Sequence, residues 1–152
     1  IQKEFSRIMN LKDGTKKMSK SEPSDLSRIN LTDDKDSIIN KIKKAKTDPL
    51  TLPSSVNELN ERPEAKNLLG IYSSLTNSTL EKSVNKFEGK NFSEFKENLS
   101  QVLVEKIAPI SLEIKKLIND KEFLDKILLD GHKKANNIAS IKIKKMKEII
   151  GF

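Results

Sequence analysis

Cysteine is absent from this chain of 152 residues, and histidine occurs once, at His132. These absences exclude a disulfide framework, a thiolate metal site, a cysteine nucleophile and any pair of catalytic histidines. Tryptophan is also missing, and aromatic residues make up only 5% of the chain. A core short of aromatics must be aliphatic, which favours helices packed by Ile and Leu stripes over a sandwich or barrel. No apolar run approaches the ~20 residues that a membrane-spanning helix needs, and no Walker-type or dinucleotide glycine pattern occurs. Charge is what the chain has in quantity: 34% of residues are charged, with 29 Lys and Arg against 22 Asp and Glu, a net +7. That balance suits nucleic acid or an acidic membrane surface, and it equally serves solubility.

The opening Ile1-Gln2-Lys3-Glu4 carries neither an initiator Met nor a signal-peptide pattern. We read the chain as the C-terminal part of something longer, beginning inside a domain. Phe5, Ile8, Met9 and Leu11 alternate partially, which predicts a short strand near 6–11, and Asp13-Gly14 is a turn signal and a candidate hinge. Thr15-Lys16-Lys17-Met18-Ser19-Lys20-Ser21 follows. Three lysines, hydroxyl side chains and a single apolar residue cannot bury themselves, so a solvated, mobile loop is expected. Its chemistry suits a polyphosphate: ammonium groups neutralise phosphate oxygens, while Ser hydroxyls and free amides donate hydrogen bonds. Pro23 keeps the exit extended.

The remainder reads as helices. Thr32-Asp33-Asp34 caps a helix over about 34–46, with Ile38, Ile42 and Ala45 on one face, Ile39 beside them, and Lys41, Lys43, Lys44 and Lys46 filling the rest. A solvated face and an RNA contact both remain open for these lysines. Residues 47–62, with Pro49 and Pro53, form a linker. Pro63 fits the first turn of a helix whose stripe is Ala65, Leu68, Leu69, Tyr72 and Leu75. Tyr72 is expected in the core. Ser78-Thr79-Leu80-Glu81 matches a capping box for a short helix ending near Phe87 and closed by Gly89. A long helix over about 92–118 carries Phe95, Leu99, Val102, Leu103, Ile107, Ile110, Ile114 and Leu117 at spacings of three and four, with Pro109 expected to bend it. Residues 121–130 predict a helix with Phe123, Leu124, Ile127 and Leu128 inward. Asp130-Gly131 breaks or offsets it, and a last, lysine-rich helix runs over about 132–150. His132 is expected to face solvent, with an RNA contact as the alternative. Asp33-Asp34 reads as a helix cap rather than a catalytic carboxylate pair.

The string Lys17-Met18-Ser19-Lys20-Ser21 spells the second signature of class I aminoacyl-tRNA synthetases. With Arg7-Ile8-Met9, Ile29-Asn30-Leu31-Thr32-Asp33-Asp34, Thr47-Asp48, Asn67-Leu68-Leu69, Lys86-Phe87-Glu88-Gly89-Lys90, Asp130-Gly131, Lys134-Ala135 and Ile150-Gly151-Phe152, the chain resembles the C-terminal part of bacterial-type tryptophanyl-tRNA synthetases over almost its whole length. The resemblance implies a mainly α fold: a helical bundle of the anticodon-binding type, preceded by a remnant of the class I nucleotide-binding domain with its lysine loop. It implies three regions: 1–31, the end of the Rossmann-like domain; 32–62, a linking helix and linker; and 63–152, the anticodon-binding helices. It implies tryptophan activation by ATP and transfer to tRNA(Trp), with Lys17 and Lys20 as the catalytic lysines. Ile8, Lys17, Met18, Ser19, Lys20 and Ser21 would bind ATP, Ile8 through its main chain at the adenine. Mg²⁺ would accompany ATP, with no metal ligand and no tightly bound cofactor assigned here. A homodimeric, cytoplasmic enzyme that does not bind membranes is implied. The family's other, His-containing signature and its tryptophan pocket are not in this chain, so the chain alone is expected to be inactive. Two other readings stand beside it: a free-standing basic helical RNA-binding module, and a structural helix bundle.

Overall fold

The computed structural model describes residues 7–151. Its elements are two short strands, β1 (Met9–Asn10) and β2 (Asp13–Lys17), and five helices, α1 (Lys35–Lys43), α2 (Pro63–Leu75), α3 (Leu80–Phe87), α4 (Phe92–Asn119) and α5 (Lys121–Ile150). Short 3-10 turns lie at Asp25–Ser27 and Asn57–Glu61. Mainly α is therefore the observed class. The chain divides into two compact units, residues 1–112 and residues 113–152.

In the first unit, β1 and β2 form an antiparallel pair in which Met9 faces Lys17 and Asn10 faces Asp13, with an irregularity between. The turn falls at Leu11-Lys12, where the Lys12 amide donates to Asn10 Oδ1 at 2.7 Å. The expected turn and hinge at Asp13-Gly14 is thus a strand. A Cβ on Gly14 would stand 2.6 Å from the backbone of both Pro63 and Glu64. This glycine allows β2 to press against the start of α2; it is not there to turn the chain. The expected strand near 6–11 shrinks to Met9–Asn10 in the described residues; Phe5 and Ser6 lie outside them.

Local capping starts the helices where polar residues precede apolar periodicity. Asp34 accepts from the Ser37 amide at 2.9 Å and begins α1. Pro63 opens α2 in the first-turn position that suits it. For α3 the cap is Thr79, which accepts from the Lys82 amide at 3.3 Å. The predicted capping residue, Ser78, is drawn instead to Ser83 Oγ at 3.0 Å and Thr76 Oγ1 at 2.9 Å. Gly89, at φ +70°, adopts the left-handed conformation just beyond α3.

The core of this unit joins Leu11, Ile38, Ile42, Leu68, Leu69, Val84, Leu99 and Leu103 to an aromatic trio. Phe87 lies 4.9 Å from Tyr72 and 4.8 Å from Phe95 between ring centroids, both edge-on, a preferred geometry for aromatic pairs. Tyr72 is a core residue, and its hydroxyl accepts from Lys86 Nζ at 2.6 Å. Residues 47–62, expected as a linker, pack into this unit. Leu52 and Leu59 are buried, and Leu52 exchanges backbone hydrogen bonds with Gly89 and Lys90. Ile39, expected beside the apolar face of α1, is exposed.

The second unit contains α5, which runs unbroken from Lys121 to Ile150. The expected break at Asp130-Gly131 is absent. No residue of α5 is buried, and Phe123, Ile127 and Leu128, predicted to point inward, are exposed. Gly131 has no neighbour that would force a bend, so the helical hydrogen bonds continue through it. Asp120 caps this helix by accepting from the Phe123 amide at 3.0 Å. Gly151, at φ +83°, ends it.

Candidate phosphate-binding site

The lysine-rich stretch is part strand and part loop. Thr15, Lys16 and Lys17 extend β2, and the chain then turns through Lys20-Ser21. Asp13 holds the strand residues, accepting from the Thr15 hydroxyl at 2.6 Å and pairing with Lys16 at 3.3 Å. The bonds from Thr15, followed by the weaker pull of Lys16, hold the Asp13 carboxyl below its ordinary pKa. The Met18 amide donates to the Ile8 carbonyl at 3.0 Å, so Ile8 and the start of the loop stand side by side. Beyond them Ser19 Oγ accepts from the Ser21 amide at 3.3 Å and shares a 2.9 Å hydrogen bond with the Ser21 hydroxyl.

An open cleft of about 760 Å³ lies here, lined by Arg7, Ile8, Lys17, Met18, Ser19, Lys20 and the segment Arg28 to Thr32. Of the six residues expected at an ATP site, five line it. Ser21 does not, and reaches the cleft only through Ser19. Among the described residues the lining contains four cations, Arg7, Lys17, Lys20 and Arg28, and no carboxylate. Lys17 and Lys20 are exposed and make no ion pair among the described residues. Such a cleft is built for an anion. No group of three or more potential metal ligands occurs among the described residues.

Arg28 was not singled out from the sequence as a site residue, and its surroundings explain why. Its guanidinium donates from Nη1 to the Glu22 carbonyl at 2.7 Å and from Nε to Asn30 Oδ1 at 3.2 Å, and Nη2 pairs with Asp25 at 3.1 Å. A lone arginine flanked by Ser and Ile gives no pattern; only the folded turn brings three acceptors to it. Lys41 is a second surprise. Expected on a solvated or RNA-facing surface, its side chain is only 4% exposed. Its ammonium lies 2.7 Å from Asp25 and 2.7 Å from Asp33. The hydrogen bond from Lys41, then that from Asn30, lowers the Asp25 pKa.

The hairpin is bolted to α2 from behind. Asn67, buried on α2, accepts from the Met9 amide and donates to the Met9 carbonyl, both at 2.9 Å. Glu64, at the start of α2, pairs with Lys46 at 2.8 Å. The Lys46 hydrogen bond outweighs burial and keeps the Glu64 carboxyl below its ordinary pKa.

Comparison with known proteins places this architecture. Residues 2–107 match the family model of class I tRNA synthetases for W and Y. A tryptophan–tRNA ligase of Mesorhizobium japonicum is 51% identical over 146 residues, covering 96% of this chain and 41% of that protein. One from Rickettsia felis is 50% identical over 147 residues, covering 97% of this chain and 44% of that protein. The crystal structure of tryptophanyl-tRNA synthetase from Mycoplasma pneumoniae superposes with a TM-score of 0.70 at 25% identity, over 96% of this chain and 44% of that one. The chain thus spans less than half the length of the relatives it matches. With 106 of its residues inside the family model, an aliphatic helical unit behind a lysine hairpin, and relatives near half identity along nearly its whole length, the chain belongs to the class I tRNA synthetases of the tryptophan and tyrosine type.

Proposed function

We propose that this chain is the C-terminal part of a tryptophan–tRNA ligase and supplies the pyrophosphate-stabilising side of its ATP site. One observation carries the reading: Lys17 and Lys20 stand unpaired, among the described residues, on a carboxylate-free cleft, in a chain about half identical to proteins named tryptophan–tRNA ligase. In the activation step the tryptophan carboxylate attacks the α-phosphorus of ATP. The bond from that phosphorus to the bridging oxygen breaks, and pyrophosphate leaves with the electron pair. Lys17 and Lys20 stabilise the charge that develops on the departing oxygens, while Ser19 and the loop amides orient them. Met18 and the Ile8 main chain flank the nucleotide, and Ser21 acts by fixing Ser19. Mg²⁺ reaches the cleft as part of the substrate, on the phosphates. The aminoacyl group then passes to the 3′ end of tRNA(Trp).

In this reading residues 1–31 end the nucleotide-binding domain, 32–62 join it to the helices while packing into the same compact unit, and 63–152 bind the anticodon region of tRNA. The complete enzyme is a cytoplasmic homodimer. Among the described residues no helix is long and apolar enough to cross a membrane.

The test is tryptophan-dependent ATP–pyrophosphate exchange by the full-length protein that carries this chain. Lys17→Ala and Lys20→Ala should each lower kcat by roughly 10²–10³-fold, the loss seen when one preorganised charge-stabilising group is removed. The 152-residue chain alone should show no exchange. Unchanged kcat in both variants, or exchange by the chain alone, would overturn the proposal. Titration with tRNA(Trp) across a salt series tests the helices: affinity should fall with rising salt, and equal affinity for unrelated tRNAs would favour the generic RNA-binding module instead.

A further inference from the structure

We propose that Asp25 is a positioning residue for the lysine loop, held by buried Lys41 and by Arg28 so that the loop returns to a fixed point. This inference rests on the ATP-site reading above.

The loop between Lys17 and Glu22 has two ends. The entry is fixed by backbone: Met18 is bonded to Ile8, and Met9 is clamped by Asn67. Among the described residues the exit has no strand partner. It is fixed by charge instead. Arg28 holds the Glu22 carbonyl, and the same guanidinium pairs with Asp25. Asp25 Oδ1 also accepts from Asn30 Nδ2 at 3.0 Å, and its Oδ2 lies 2.7 Å from Lys41 Nζ. Lys41 belongs to α1, whose buried face carries Ile38 and Ile42, both 0% exposed. The buried face of α1 therefore grips the loop exit through one carboxylate.

The division of labour between the two carboxylates around Lys41 is informative. A buried ammonium needs a partner, and Asp33, 10% exposed, provides one. Asp33 also accepts from the Asn30 amide at 2.8 Å, closing the turn before α1. Asp25 is 57% exposed. An ion pair with so much water access adds little to stability. Yet Asp25 receives donors from Arg28, Asn30 and Lys41, and two of these, Arg28 and Asn30, line the same cleft as Lys20. Its contribution is geometric: it sets where the cleft wall and the loop exit stand relative to α1. Misplacing a charge-stabilising group by about 1 Å costs on the order of 10²-fold in rate.

Asp25→Ala is the discriminating variant, because Lys41 keeps Asp33 and the fold is not left with a lone buried charge. In the full-length protein we expect kcat for ATP–pyrophosphate exchange to fall by about tenfold to a hundredfold, with KM for tryptophan and the thermal midpoint unchanged. Amide hydrogen exchange over residues 19–24 should quicken while the rest of the chain does not change. Asp25→Asn, which retains an acceptor, should fall between. The double variant Asp25→Ala/Lys20→Ala should be no slower than Lys20→Ala alone, because a positioning residue acts through the group it positions. Multiplying losses in the double variant, an unchanged kcat in Asp25→Ala, or faster hydrogen exchange throughout the chain would each overturn the proposal. Failure of the underlying reading looks different: Lys17→Ala and Lys20→Ala would leave exchange activity intact, while hydrogen exchange at 19–24 would still decide whether Asp25 tethers the loop.

Discussion

The two compact units use similar residues to opposite effect. Among the described residues every buried apolar side chain, from Leu11 to Leu103, lies within residues 1–112. In the second unit α5 carries Phe123, Ile127, Leu128, Ile138, Ile141 and Ile149, all exposed. Both units show apolar residues at helical spacing. The lesson is that this spacing specifies an amphipathic helix and does not by itself specify burial. Burial in the first unit comes from elements of different kinds converging: a hairpin, a packed irregular segment and four helices. The chain allows the units to be read separately, since tryptophan is absent and its one tyrosine, Tyr72, is in the first unit. Tyrosine fluorescence therefore follows residues 1–112, and far-ultraviolet circular dichroism follows both units.

The sharpest break of the comparison is at the aromatic trio. Phe95 is 0% exposed and touches both other rings. Phe95→Ala should destabilise the first unit by about 3–5 kcal/mol, seen as an early loss of the Tyr72 signal in urea. Leu128→Ala, at 68% exposure, should change neither signal by more than about 0.5 kcal/mol. Equal effects would mean that the exposure contrast does not describe the protein in solution.

Next in size is Gly14→Ala. The added methyl would meet backbone atoms of Pro63 and Glu64 at 2.6–2.7 Å, and backbone cannot swing aside as a side chain can. We expect a loss of about 1–3 kcal/mol, again in the tyrosine signal, together with faster hydrogen exchange in β1 and β2.

The ion pair of Arg62 with Asp48 ranks third. Arg62 grips both carboxylate oxygens, at 2.9 and 2.6 Å, and also donates to the Thr51 carbonyl at 2.9 Å. Burial pushes the Asp48 pKa up, but the Arg62 bonds and the Leu50 amide outweigh it, leaving it below 3.8. A carboxylate with a depressed folded-state pKa stabilises the fold above its unfolded pKa, and that gain is lost as pH falls through the folded value. Arg62→Met should therefore cost about 1–3 kcal/mol at pH 6, measured in urea, and the gap from the parent should close below an unfolded value of 3.8. A gap that does not narrow as pH falls below the ordinary aspartate range would assign Arg62 to packing against Phe92, whose ring centroid lies 5.8 Å away.

Features set by neighbouring residues were legible in the sequence. Asp34, Pro63 and Gly89 act where their own chemistry dictates, and Lys17 and Lys20 were recognisable as an unburied pair. Features set by distant residues were not. Gly14 resembles a turn glycine until Pro63, far along the chain, is brought against it. Lys41 sits among Lys43, Lys44 and Lys46 in a basic run, and only the return of Asp25 and Asp33 to α1 distinguishes it. Arg28 is similar, since its three acceptors come together only when the turn closes. The misplacement of the α3 cap by one residue has a local cause: Ser78 and Thr79 both have the needed oxygen, and the Ser73–Ser83 hydrogen bond, at 2.9 Å, brings Ser83 within reach of Ser78.

The smallest effect tests the second unit directly. Gly131 sits inside α5, its φ is not positive, and a Cβ there would meet nothing within 4 Å. Glycine in a helix interior costs roughly 0.5–1 kcal/mol relative to alanine. With no steric objection, Gly131→Ala should strengthen the helix, slowing hydrogen exchange of amides 127–137 by up to about fivefold while the tyrosine midpoint stays fixed. The same substitution at residue 14 is predicted to harm, so the pair of glycines contrasts a backbone packed against a neighbour with one facing open space. The outcome also decides between two forms of the second unit. If Asp130-Gly131 broke or offset the helix, as the sequence suggested, a methyl there would resist the break and hydrogen exchange would quicken on both sides of it. A slowing confined to 127–137 is compatible only with the unbroken helix.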